Sequence, residues 1–287
     1  MNEQELVYKY SDWNSYSKEA INKRYFWFSK PTNFNDPFDS NMGILMASPR
    51  TKAVFEKQDE NGRTFFEFIK ENTDEFGILC FTSPRAEGEM GDKGYNNLHF
   101  WSHYANCHKG ISIGYDLAKL KDYYSEKLQC NASLSEINYI EKAADIDNYD
   151  FLVGENHTKR IEGIFGPYRD DKHIDAFFEQ ILLFKDERIW GLENEQRIIL
   201  AGLALKQLKS SNPFHDIGFD IFADNGKGYR LPYPEGNVIK EVTFGVKFDK
   251  SEIESAVKTI LKTNKSVKFY KAKLDFVNAN ITREFIE

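Results

Sequence analysis

Two carboxylates one residue apart, Glu193 and Glu195, stand in the run Trp190-Gly191-Leu192-Glu193-Asn194-Glu195-Gln196-Arg197, which leads straight into the apolar Ile198-Ile199-Leu200. On an extended strand, residues two apart face the same side, so the two acids point together into one space and Arg197 continues the row. That arrangement aims acid at a substrate. It is also how a solvated edge face of a strand would read. Three further groups have chemistry-bearing residue types. Asn35, Asp36 and Asp39 surround Pro37 in Asn33-Phe34-Asn35-Asp36-Pro37-Phe38-Asp39, where they could contact a substrate or ion, or cap a turn that holds Phe34 and Phe38 in the core. His99 and His103 are one helical turn apart with His108 close behind. That spacing binds zinc when a third ligand arrives, but no carboxylate lies between them in the protease arrangement, so no metal is expected. Cys107 beside His108 has the residue types of a nucleophile and base without any local signature of one, and Cys80 lies in an apolar strand that would keep it inert.

The elements that must position these groups can be read from periodicity and turn chemistry. Short strands are expected at Leu6–Tyr10 and Tyr25–Phe28, with a helix over about 13–23 between them. A helix over about 50–73 precedes a buried strand at Gly77–Ser83, and a Gly- and acid-rich loop follows at 85–95. Leu98–Ala105 reads as a helix, Cys107–Gly110 as a turn and Ile111–Tyr115 as a strand. From about 117 to 188 the pattern is helical and polar, and Asp175–Lys185 is its clearest amphipathic piece. The Glu-x-Glu segment returns the chain to sheet. A strand at Val238–Phe248, a helix at Ser251–Thr263 capped by Ser251, and a strand at Val267–Leu274 complete it. The expected whole is a single α+β domain over 1–287, with a mainly antiparallel sheet and a helical insertion at about 117–188.

Composition narrows the classes. A chain of 287 residues, 41% hydrophobic, can bury a substantial core. Its net charge of −7 argues against a general nucleic-acid coat, which needs clustered cations. Cys80, Cys107 and Cys130 are an odd number at unrelated spacings, which suits a reducing cytoplasm rather than a disulfide framework. The acidic, polar start Met1-Asn2-Glu3-Gln4-Glu5 is not a signal peptide, and no apolar run is long enough to span a membrane. No Walker loop and no Gly-x-Gly-x-x-Gly follows a strand, which excludes the usual ATP and Rossmann dinucleotide sites.

Tyr8-Lys9-Tyr10, Trp27-Phe28-Ser29, Phe34-Asn35-Asp36-Pro37-Phe38-Asp39, Cys80-Phe81-Thr82, Trp101-Ser102-His103-Tyr104-Ala105, His108-Lys109-Gly110-Ile111 and Trp190-x-x-Glu193-x-Glu195-x-Arg197 together resemble the bacterial domain of unknown function 2971 family, over about 6–275. That resemblance implies a cytoplasmic bacterial protein, with defence or toxin settings among its members, and supplies no activity. A second similarity, carried by fewer residues, is to ADP-ribosyltransferases of the Arg-Ser-Glu type, which order a basic residue, a Ser-Thr-Ser-like strand and a Glu-x-Glu pair along the chain. Here the order is Lys9, Phe81-Thr82-Ser83 and Glu193-x-Glu195, with lysine in place of arginine. It implies an NAD-consuming enzyme, transferring ADP-ribose to a macromolecular acceptor or hydrolysing NAD. Glu195 would stabilise the charge that builds on the ribose, and Glu193 would assist at the acceptor. Lys9 would hold the pyrophosphate, and Phe34 or Trp101 would flank the nicotinamide. Asn35, Ser83, Tyr104 and Arg197 would complete the dinucleotide site, and no metal would be needed.

Two other functions use the same residues. A nuclease or phosphodiesterase would gather Asp36, Asp39, His103, Glu193 and Glu195 around a divalent ion. A binding module for a ligand or partner protein would hold them in a cleft without turnover. The discriminating observation is spatial: a transferase needs Lys9, Ser83, Trp101 and Glu195 around one dinucleotide.

Overall fold

The computed structural model describes residues 5–34, 36, 38–40, 43, 46–58, 61–85, 92–128, 134–142, 145–146, 178–215, 221–222 and 226–286. The first strand, β1 (Leu6–Ser11), runs into α1 (Ser15–Lys23), whose start is fixed by Asn14. The Asn14 side chain accepts from the amides of Tyr16 and Ser17, and Ser17 Oγ accepts from the Asn14 amide in return. β2 (Tyr25–Ser29) follows at once, after Arg24 turns the chain in the left-handed region. The helix expected over 50–73 is two helices, α2 (Pro49–Phe55) and α3 (Phe65–Thr73). The break comes from a second capping box: Thr64 accepts from the Glu67 amide while Glu67 accepts from the Thr64 amide, so a new helix starts there.

β3 (Gly77–Thr82), α4 (Leu98–His103), β4 (Ile111–Asp116) and α5 (Leu117–Leu128) come next, then two short strands, β5 (Leu134–Glu136) and β6 (Asn138–Ile140). Residues 147–177, with the start of the expected Asp175–Lys185 helix, lie outside the described residues, as does Cys130. The expected helix stops early. Residues 178–181 are helical, but Phe184–Asp186 is a strand, β7, paired in parallel with β6. The span read as a helical insertion therefore carries strands as well as helices.

After β7 come a short helix, α6 (Glu187–Trp190), a 3₁₀ turn at Gly191–Glu193, and β8 (Glu195–Leu200). Three elements that sequence reading did not separate follow or close the chain: α7 (Gly202–Ser210), β9 (Gly228–Pro232) and β12 (Asn280–Ile286). β10 (Ile239–Phe244), α8 (Ile253–Leu261) and β11 (Lys268–Asp275) stand close to expectation. The cap differs: Asp249 accepts from the Ser251 amide and opens a 3₁₀ turn ahead of α8.

The main sheet, as described, has ten strands in the order β12-β11-β10-β4-β1-β3-β2-β9, with β8 and then β5 added on β3. Its pairs are antiparallel except β10 with β11, which the crossover helix α8 joins in parallel. One detail of the ladder shapes everything below. β8 pairs along the whole of β3, from Gly77 to Thr82, so β1 and β2 must share the other edge. β1 meets it at Tyr8 opposite Thr82, and β2 meets it at Ser29 opposite Ile78. The two strands therefore part along β3, and α1 bridges them.

The main core packs Phe26, Phe28, Phe81, Ile113, Tyr115 and Phe244 with the apolar faces of α3, α5 and α7. A second cluster on the opposite face joins Tyr8, Tyr10, Phe100 and Trp101. Between α4 and β4 the turn is tight: Asn106, Cys107 and His108 all have positive φ, and the backbone of Gly245 passes against it, donating to Gly110 O. A Cβ at Gly245 would overlap the His108 carbonyl and the Trp101 ring. Gly245→Ala is expected to cost about 1–3 kcal/mol through overpacking, read as a lower urea midpoint at unchanged slope.

Candidate functional site

Glu193 and Glu195 do come together, by a route that strand alternation alone does not give. Glu193 ends the 3₁₀ turn, Asn194 turns through the left-handed region (φ 45°), and Glu195 begins β8. Both carboxylates are buried, 1% and 4% exposed, so the edge-face reading is overturned. Lys185 on β7 lies between them and donates to Glu193 Oε2 (2.6 Å) and Glu195 Oε2 (2.7 Å). Arg197, fully buried, donates to Glu195 Oε1 (2.7 Å), to both oxygens of Asp39 (2.7 Å each), to Ser40 Oγ and to Leu182 O. Lys185 stands 3.4 Å from Asp39 as well. The result is a closed set of carboxylates, Asp39, Glu193 and Glu195, bound to Lys185 and Arg197.

Burial penalises the charges of Glu195, Lys185 and Arg197, and their partners outweigh it. Burial raises the Glu195 carboxyl, but Arg197 and then Lys185 pull it well below the usual carboxylate range. Burial lowers the Lys185 ammonium, and Glu195, Asp39 and Glu193 more than restore it, leaving it raised. Cys80 lies beside Glu195, and burial first and Glu195 second hold its thiol well above its usual range, so it stays protonated and inert.

The rim of the set faces α4. Tyr104 donates to Glu193 Oε1 (2.8 Å), and His99 Nε2 is 3.4 Å from the same oxygen. His99 packs edge-on against Trp190 and lies 4.3 Å, ring to ring, from His103. Trp190 in turn covers the Lys185 ammonium at 4.8 Å. Among the described residues no group of histidine, cysteine and carboxylate side chains is arranged to hold a metal ion.

Phe34, Trp101 and Ser83 are engaged by the protein itself. Phe34 lies 5.4 Å from the Arg197 guanidinium, so its ring packs on protein rather than standing free for a nicotinamide. Trp101 is fully buried, its indole donating to Tyr95 O and its ring against Tyr10 and His108, with no face open to a ligand. Ser83 is clasped to Asn194, its amide donating to Asn194 O and its carbonyl accepting from the Asn194 side chain. Asn35 lies outside the described residues. In the Asp36 turn the carboxylate accepts from the Phe38 amide, but Phe38 is 73% exposed rather than in the core, because Asp39 is drawn inward to Arg197.

Lys9 is separated from the acids by the sheet. Tyr8 opposes Thr82 and Thr82 opposes Glu195, so these three side chains share one face, and Lys9, next to Tyr8, takes the other. There its ammonium donates to Cys80 O (3.2 Å), on the stretch of β3 where β1 and β2 part. The gap opens into a cavity of about 410 Å³ beneath α1, lined by Lys9, Tyr25, Phe26, Tyr115, Arg230 and Tyr233 among others. The expected convergence of Lys9 with Ser83, Trp101 and Glu195 is not found.

Sequence reading missed Lys185, the bridge of the acid pair, and Arg230, the second cation of the cavity. Lys185 did carry a signal: it is a lone cation closing the apolar run Ile181-Leu182-Leu183-Phe184. Arg230 carried none.

The fold and site define an α+β protein with a buried ionic centre on one face of its sheet and an open cavity on the other. Residues 100–198 match the family described as Protein of unknown function (DUF2971), so the resemblance read from the sequence holds over that span. Comparison with curated proteins and with solved structures returned no match.

Removing Arg197 leaves three buried carboxylates to share the single cation of Lys185. Arg197→Met is expected to destabilise the fold by about 3–5 kcal/mol, measured by denaturant unfolding. Because the Glu195 carboxyl is depressed in the folded protein, its stabilisation is present above the unfolded-state value of about 4.3 and is lost as pH falls through the folded one. Between pH 5 and 2, Glu195→Gln should therefore lose less stability than the unmodified protein. Parallel pH profiles of the two would disprove this assignment.

Proposed function

We propose that the chain is a cytoplasmic binding module that holds a small organic molecule in the cavity between β1 and β2, with the acid pair acting as scaffold. The observation that carries this is the position of Lys9: it faces the cavity, and β3 stands between it and the carboxylates. The cavity has the size and the aromatic lining of small-molecule sites.

The acid pair argues the same way from the other side. A carboxylate that stabilises a charged transition state must face the substrate. Glu195 gives one oxygen to Arg197 and the other to Lys185, and Glu193 is taken by Lys185 and Tyr104. Cleaving NAD there would require the set to open. Its place is structural: it ties β7, β8 and the Asp39 turn into one body.

The test is a thermal-shift and calorimetric screen of nucleotides, NAD and aromatic metabolites against the full chain. Ala20 lines the cavity from α1, so Ala20→Trp should fill it and abolish binding of whatever compound the unmodified protein takes. NAD incubated with the protein should remain intact, with or without a chelator. Turnover of NAD that is lost in Glu195→Gln would overturn the scaffold role, and a ligand that binds Ala20→Trp as tightly as the unmodified chain would overturn the site.

A further inference from the structure

The chemistry of the cavity, taken as the binding site proposed above, narrows its occupant. Lys9 is the central group. Its ammonium has three donors, and one goes to Cys80 O. It makes no ion pair among the described residues, in contrast with Lys185 on the opposite face, which contacts three carboxylates. The Lys9 side chain is packed deep enough that burial lowers its ammonium below the usual range, with only a partial return from Cys80 and Glu195. A desolvated cation without an ion-pair partner in contact is costly, and a ligand anion would reduce that cost.

A second cation, Arg230, lines the same cavity and lies 5.4 Å from the Tyr25 ring. Asp12, the one carboxylate among the described lining residues, follows the end of β1, three residues from Lys9 and about 10 Å along an extended strand. Asp12 is already engaged by the Trp13 amide and the side chains of Asn14 and Asn106. The charge pattern along β1 therefore has a direction, from Lys9 within the strand to Asp12 past its end, ahead of α1. Between them the walls are rings: Phe26 packs at 4.9 Å against both Tyr115 and Tyr233, and Tyr16, 76% exposed, stands at the mouth. Flat apolar walls accept a flat ring.

We infer that this cavity binds a ring compound carrying a phosphate or carboxylate group, with the ring among the aromatic side chains and the anion seated on Lys9. Asp12, about 10 Å from Lys9 along the chain, disfavours the reverse orientation. Phosphate and carboxylate share the chemistry that Lys9 recognises, and the experiment separates them.

Full-length protein is titrated calorimetrically with nucleoside monophosphates against their nucleosides, and with indole-3-carboxylate against indole. In at least one pair the anion should bind about tenfold or more tightly than its neutral partner, the value of one charge-assisted contact. The pair that shows the preference identifies the source of the anion. Lys9→Met should bring the anion down to the affinity of the neutral compound, while Lys9→Arg, which keeps the charge and guards against a simple folding defect, should retain the preference. Equal affinity of anion and neutral partner in both pairs, or a preference that survives in Lys9→Met, would overturn the inference while leaving the cavity as a binding site. Binding unaffected by Ala20→Trp would instead remove the site itself, and the inference with it.

Discussion

The buried guanidinium of Arg197 is the interaction on which the rest of the structure hangs. It sits on β8, reaches Asp39 from the N-terminal part of the chain, Glu195 on its own strand and the Leu182 carbonyl ahead of β7. A planar fork with several fixed donors can satisfy that many acceptors in one place, and a lysine could not. Without it, the Asp39 turn, β7 and β8 would be held together by Lys185 alone, one cation among three buried carboxylates in a medium that solvates charge poorly. Lys185 completes the set by entering from β7, a strand that also pairs with β6, so tertiary partners rather than local propensity accompany strand over helix there.

Much of the fold was legible because its signals are local. β1, β2, β3, β10 and β11 were legible as short apolar or aromatic runs bounded by turn residues, β4 by its alternation, and α1 as a helix between the first two strands. The caps at Asn14 and Thr64 have the residue types that satisfy free amides at a helix start, although the Thr64 box was passed over and two helices were read as one. Phe184–Asp186 failed for a different reason. Its neighbours repeat like a helix, and only the ladder to β6 and the pull of the acids on Lys185 make it a strand. No property of a local window contains those partners.

The site was legible in part. The closeness of Glu193 and Glu195 was correct, although the left-handed Asn194 rather than strand alternation brings them together. Their burial and pairing were not readable, since the partners lie at positions 39 and 185. Lys9 was placed on the right strand, but chain order does not say which face of a sheet a residue takes. That depends on register, and the single pair Tyr8 with Thr82 decides it. Residues that follow the order of a motif along the chain can thus lie on opposite faces of one sheet.

The position of β1 has a consequence in time. The first strand is in the middle of the sheet, flanked by β3 and β4, and β4 is closed in turn by β10, more than a hundred residues further on. A chain emerging from its N-terminus holds this central strand unpaired on one side until β4 arrives, and the sheet beyond it unfinished until the last segments are made. Loop closure of that span is paid before its contacts return anything, so the chain folds slowly for its size. Alternation of Tyr8 and Tyr10 with Val7 and Lys9 makes β1 an adhesive segment during that wait, and Lys9 is its one charge. The lysine that faces the cavity in the finished protein is therefore also the one charge that opposes strand-to-strand association of this segment while it waits.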